Sequence, residues 1–282
     1  MQDFNKIFSI RYSLIIISLI LTILFACTGD KMETSKTTLP SIRNVTASEW
    51  QHLSQKKIYF GHQSVGFNII DGIKDIMKSN PQIKFNIIET TNPVNLNSPA
   101  LAHAPVGKNM NPKSKCDAFA ELMNNGFGNK TDIAFLKFCY IDFALGTNVE
   151  ELFKTYESTM SFLRTKYPQV VFIHVTVPLT TPQSGLKALI KKTIGKPVAG
   201  YEENIRREEF NEKLRKHYAG KEPVFDLALI ESTTETGSRA TFTFKGETGY
   251  NLAPEYTNDG GHLNERGRNI VAEQLLIFLS KL

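Results

Sequence analysis

From about residue 44 to the C-terminus, short apolar, β-prone runs alternate with longer segments whose apolar residues recur at helical spacing, and this alternation restricts the fold most. Ile58-Tyr59-Phe60 halts at Gly61, and after Gly66 the set Ile69, Ile73, Ile76 and Met77 falls at helical intervals. Further strands are expected at Ile83 to Thr90, Asp132 to Ile141, Val170 to Val177 and Pro223 to Ile230. Helices are expected over Ser114 to Asn124, over Asn148 to Tyr167, over Asn204 to Tyr218 and from near Asn264 onward. Thr46-Ala47-Ser48-Glu49 has the form of a capping box opening a helix to about Lys56, and Thr241-Phe242-Thr243-Phe244 with Gly246 reads as a small hairpin. A long Asn- and Pro-rich loop is expected between Thr90 and Lys113, and a lysine-bearing excursion over residues 178–200. The pattern argues an α/β fold, a parallel sheet with helices on both faces, whose ligands bind outside the carboxyl ends of the strands.

Residues 1–26 do not fit this pattern. Lys6 and Arg11 precede an apolar run of 13 residues, Leu14 to Ala26. A bilayer-spanning helix needs about 20 residues, so the run is read as the core of a signal peptide. It ends Leu24-Phe25-Ala26-Cys27, which resembles the lipobox of bacterial lipoproteins. That resemblance implies cleavage before Cys27 and its acylation, hence an exported protein anchored by lipid to a membrane of the bacterial cell envelope, on its periplasmic or surface side. The expected organisation is a signal peptide over 1–26, a flexible tether over 27–43 and one domain over 44–282.

The net charge of +5 comes from 33 basic and 28 acidic residues with the signs interspersed, except at Lys187, Lys191, Lys192 and Lys196. Without a zinc-ligand spacing or an aromatic-basic repeat, no nucleic-acid partner is expected. Cys116 and Cys139 have no motif spacing, so two unpaired thiols are expected, and neither a metal nor another cofactor is called for.

Two clusters carry chemistry. Gly61-His62-Gln63-Ser64-Val65-Gly66 places a serine in a tight strand-to-helix turn, with its own N–H at a helix start where developing negative charge is stabilised. Asp259-Gly260-Gly261-His262-Leu263-Asn264 precedes the last helix. An aspartate three residues ahead of a histidine can accept its Nδ1 proton and leave Nε2 to act as a base. His62, two residues before the serine, is read as a packing or substrate-contact residue, and His103 as an exposed polar residue of the long loop.

Together the two clusters resemble the SGNH hydrolase family, the GDSL esterases and lipases, over nearly the whole mature chain. The resemblance implies a flavodoxin-like three-layer α/β/α sandwich with a five-stranded parallel sheet. It makes Ser64 the nucleophile, His262 the general base and acid, and Asp259 the residue that orients the imidazole. It places the oxyanion between the Ser64 N–H and Gly107, the glycine of Pro105-Val106-Gly107-Lys108-Asn109 after the second strand. This chain departs from the family pattern in having His62-Gln63 ahead of the serine. A second departure is Cys139-Tyr140-Ile141-Asp142 where Gly-x-Asn-Asp is usual, which leaves Asn109 as the candidate substitute donor.

The function implied is a serine esterase that removes a small acyl group, acetyl foremost, from a hydrophilic substrate such as an acylated glycan. O-acyl transfer with the same triad and a non-catalytic glycan-binding envelope protein are the alternatives. Residues 178–200 and 231–258 read as polar, without a lipase-like apolar lid, and Tyr201, Tyr250 and Tyr256 are candidates to stack on sugars.

Overall fold

The computed structural model describes residues 36–282, so the expected signal peptide, Cys27 and the first part of the tether lie outside the described residues. Residues 36–43, expected to be flexible, are instead held on the domain. Thr37 N–H donates to Gly237 O at 2.9 Å, Gln274 Nε2 to Pro40 O at 2.8 Å, and Ile42 N–H to a Glu273 carboxylate oxygen at 2.8 Å. Leu39 and Ile42, two apolar residues in a polar stretch, pack against the core.

Six strands form one parallel sheet: β1 (Lys57–His62), β2 (Ile87–Glu89), β3 (Ala100–Pro105), β4 (Ile133–Leu136), β5 (Val171–Val175) and β6 (Val224–Phe225), in the order β2-β3-β1-β4-β5-β6. One face is covered by α1 (Ala47–Leu53), α2 (Ser64–Ser79), α7 (Leu227–Ser232) and α8 (Glu265–Ser280). The other is covered by α3 (Pro112–Asn124), α4 (Val149–Lys166) and α6 (Tyr201–Tyr218). The architecture is the expected three-layer α/β/α sandwich, with one strand more than expected. The additional strand, β3, lies inside what reads as a long loop, because Ala-Leu-Ala-His-Ala-Pro has little of the β-branched and aromatic content that marks strands. The sequence runs at 83–90 and 223–230 pair over only Ile87–Glu89 and Val224–Phe225, at the two edges of the sheet.

Local signals set the element ends. Thr46 and Glu49 form the expected capping box, Asn148 accepts from Glu151 N–H, and Asn264 accepts from Gly267 N–H at the start of α8. The hairpin joins β7 (Thr241–Phe244) to β8 (Glu247–Tyr250), and residues 178–200 contain α5 (Gly185–Thr193).

Strand β1 is buried on both sides, with Ile58 and Phe60 facing α2 and α8 and Tyr59 facing the opposite layer. Its neighbours are β3 on one side and β4 on the other, so the chain direction across the sheet reverses at β1. Such a reversal opens a crevice at the carboxyl ends of the strands. Helices α2 and α8 approach so closely that a Cβ on Gly72 would lie 2.3 Å from the Arg268 carbonyl oxygen. The Arg268 guanidinium then pairs with Asp75 at 2.6 Å. Gly72→Ala is expected to push the helices apart and lower stability by about 1–3 kcal/mol, the usual cost of overpacking. A denaturant midpoint equal to wild type would contradict this crossing.

Candidate active site

Ser64 is the first residue of α2 and is half-buried directly beyond the end of β1. The residue before it, Gln63, does not cap the helix with its side chain. Its Nε2 instead donates to the carbonyl oxygens of Val106 and Gly107, both at 3.0 Å. The first amides of a helix have no intrahelical acceptor, so the start of α2 presents N–H groups beside Ser64. Gly66 is required by the same turn, since a Cβ there would fall 2.2 Å from the His62 ring.

The loop carrying Asp259 and His262 is built around one carboxylate. Asp259 Oδ1 accepts from the N–H groups of Gly261 and His262 at 2.9 and 2.8 Å, and Oδ2 meets His262 Nδ1 at 2.6 Å. Partial burial works to raise the Asp259 carboxyl, but the two amides and the imidazole outweigh it and hold the group well below the usual carboxylate range. With Nδ1 donating to Asp259, Nε2 is left as the acceptor. The loop is tied to the serine helix by Leu263 N–H, which donates to Asn68 Oδ1 at 3.2 Å, one helical turn after Ser64. The structure thus brings Asp259 to His262 and their loop to α2. Nε2 lies 3.5 Å from the Tyr140 hydroxyl, and the Ser64 hydroxyl makes no hydrogen bond among the described residues.

Gly107 follows β3, and its φ of 60° places it in the left-handed region. A Cβ there would lie 2.6 Å from the Lys115 backbone, so the loop can press onto α3 only through glycine. Asn109 is exposed, and its Oδ1 accepts from Lys115 Nζ at 3.0 Å, which leaves its amide NH₂ as the available donor.

Beneath these loops lies a buried polar layer that the sequence reading missed. Lys115 and Asp142, both fully buried, pair at 2.5 Å. Asp142 also accepts from Cys139 N–H at 2.8 Å and from Met110 N–H at 3.0 Å, so one carboxylate joins the loops after β3 and β4. The available signal was Lys115 itself, which falls on the apolar stripe of α3 with Phe119 and Met123. His103 is buried rather than exposed, and its Nδ1 lies 3.0 Å from His62 Nε2. His62 Nδ1 donates to Gln63 O at 2.9 Å, and burial pulls this imidazole down to about 3 and keeps it neutral. Lys137 is fully buried, with its pKa lowered by burial, and Glu231 in α7 is pushed up by burial to about 8. Cys116 and Cys139 are unpaired and buried, as expected. Tyr256 is buried with its hydroxyl donating to Thr233 O at 2.9 Å, which removes it as a sugar-stacking residue.

A cleft of about 640 Å³ adjoins Tyr140 and the His262 loop at Asp259–Gly261. Ile141, Phe143, Ala144 and Leu145 give it an apolar wall, and Thr180, Glu203 and Arg207 line it with polar groups. Arg207 is 4% exposed and is fixed by Nε to Tyr140 O at 3.0 Å and by Nη1 to Thr180 Oγ1 at 2.7 Å. Among the described residues no group of three or more His, Cys, Asp and Glu side chains is placed to hold a metal ion.

No protein-family model matches this sequence, and no curated protein matches it. Solved structures similar to the chain include a GDSL-like lipase from Bacteroides thetaiotaomicron, 15% identical over 83% of this chain and 95% of that one, with a TM-score of 0.49. A member of the lipolytic G-D-S-L family from Veillonella parvula is 14% identical over 80% and 98%, with a TM-score of 0.46. The periplasmic domain of a lipopolysaccharide acetyltransferase from Salmonella Paratyphi A is 11% identical over 79% and 83%, with a TM-score of 0.43. At these identities the likenesses concern the course of the chain, and the residues of the site carry the functional reading.

The buried Glu231 gives a test of the polar layer. Its folded carboxyl titrates near 8 against an ordinary value of 4.5, so the folded state holds the proton more tightly. The stability this group supports is complete below pH 4.5 and is lost as pH rises through 8. Glu231→Gln, which keeps an acceptor for Leu179 N–H, is expected to flatten the decline of stability across that window. Denaturation profiles of the two proteins that fall in parallel would contradict the placement.

Proposed function

We propose that this protein is an acyl-ester hydrolase acting through Ser64, His262 and Asp259, and that it removes a small acyl group, acetyl foremost, from a hydrophilic substrate such as an acylated glycan. The observation that carries this reading is the 2.6 Å contact between Asp259 and His262, on a loop that Asn68 fastens to the serine's own helix.

In this mechanism the imidazole turns from Tyr140 toward Ser64 when substrate enters the cleft, since hydrogen bonds of resting sites commonly close only in the complex. Nε2 takes the proton of Ser64 Oγ as that oxygen attacks the acyl carbon. The carbonyl oxygen gains the negative charge and faces the free amides at the start of α2 and the Gly107 N–H, with the Asn109 amide as a further donor. Asp259 stabilises the imidazolium, which then protonates the departing alcohol and leaves the acyl group on Ser64. Water, activated by the same Nε2, releases the acid and restores the enzyme. The lipobox-like sequence ending at Cys27 supports a location in the cell envelope, with the protein held to a membrane by lipid.

Turnover of an activated acetyl ester tests the chemistry. Ser64→Ala and His262→Ala are each expected to lower kcat by roughly 10²–10⁴-fold or more, because the groups act as a unit. Asp259→Asn should lose much of the rate while folding normally. A near wild-type rate in Ser64→Ala would overturn the mechanism, and acetyl moved to an added sugar would make the reaction transfer. Anchoring has its own test: Cys27→Ala is expected to block normal maturation and release the protein from the membrane fraction, and unchanged processing would contradict acylation at that residue.

A further inference from the structure

Helix α5 turns its apolar side outward. Leu186, Leu189 and Ile190 are 73%, 61% and 51% exposed, and Ile194, whose N–H bonds back to the Ile190 carbonyl at 3.1 Å, is 57% exposed. At about 100° per residue the four fall within an arc of about 140°. Ala188, on the opposite side, is buried. The expectation of a polar excursion over 178–200 is therefore corrected: lysines dominate its composition, while its helical spacing gathers the aliphatic residues on one outward stripe.

Single exposed aliphatic side chains are ordinary, but a continuous stripe marks a contact surface. The net charge of the segment selects the occupant. From Pro178 to Gly200 the chain carries four lysines and no acidic residue. A second copy seated on this stripe would bring two segments of like charge together, whereas anionic lipid headgroups would neutralise that charge and admit the aliphatic side chains to the acyl boundary. The helix also lies beside the cleft, which is lined by Gln183 ahead of it and by Ala199 and Gly200 after it. Lys191 Nζ bonds to Gln183 Oε1 at 2.7 Å, and the exposed Met110, Ile141 and Leu145 add apolar surface to the same cleft.

We propose that α5 is a membrane-contacting surface, lying in the interface of an anionic bilayer with Leu186, Leu189, Ile190 and Ile194 among the acyl chains and holding the cleft mouth at the lipid surface. This contact is independent of the chemistry at Ser64 and of any lipid on Cys27, which would only keep the domain nearby.

The test uses the full chain carrying Ile190→Trp, reconstituted into vesicles of phosphatidylcholine with or without phosphatidylglycerol and with brominated acyl chains. Native Trp50 is buried and supplies a constant background. In phosphatidylglycerol vesicles the added indole should shift to the blue and lose most of its emission. The quenching should weaken in phosphatidylcholine alone and in high salt, which screens the lysines. Adding Leu186→Asp and Leu189→Asp should abolish it with circular dichroism unchanged, while Ser64→Ala should leave it intact. An unquenched indole would overturn the proposal, as would a blue shift without brominated-lipid quenching that tracks dimer formation by light scattering.

Discussion

The backbone contact between α2 and α8 at Gly72 is the constraint on which the rest of the site depends. Ser64 begins one of these helices and His262 stands just ahead of the other, so the spacing of the two helices sets the distance between the proposed nucleophile and its proposed base. A side chain at Gly72 would separate them. Asn68 then converts helix packing into loop position by taking Leu263 N–H, and Asp75 with Arg268 holds the crossing one turn further along. Two sequence clusters near opposite ends of the domain become neighbours through this one helix pair.

The second support is the polar layer beneath the loops. A buried charge is costly unless paired and hydrogen-bonded, and Asp142 meets that condition with Lys115 and two backbone amides. The pair sets the loop carrying Gly107 and Asn109 against the loop carrying Tyr140. Gln63 adds a third fastening from the serine turn to the Gly107 carbonyl. Directly before the serine this chain has an amide that donates to two carbonyl oxygens, so Gln63 serves to hold the turn to the neighbouring loop.

Much of this was legible in the sequence because it is encoded locally. The Thr46–Glu49 box, the caps at Asn148 and Asn264, and the period of α2, α4 and α8 each declare themselves within a few residues. The Asp259–His262 contact is also local, three residues apart on a glycine-bearing loop. Strand β3 was hidden by alanine, which packs well between β1 and β2 but gives no strand signature. The Lys115–Asp142 and His62–His103 contacts join residues 27 and 41 positions apart, and only the register of the sheet brings them together. The outward face of α5 was hidden for another reason: amphipathic spacing reveals that a helix has two sides, and not which side meets the protein.

The central claim is that Ser64 is a nucleophile activated by His262 across the α2–α8 junction. A fluorophosphonate that reacts only with activated serines tests it most directly, with the modified residue located by mass spectrometry. The expected result is a single phosphonyl adduct on Ser64 in the wild-type protein and none in His262→Ala. An adduct on another serine, or equal labelling of Ser64 with and without His262, would contradict the claim.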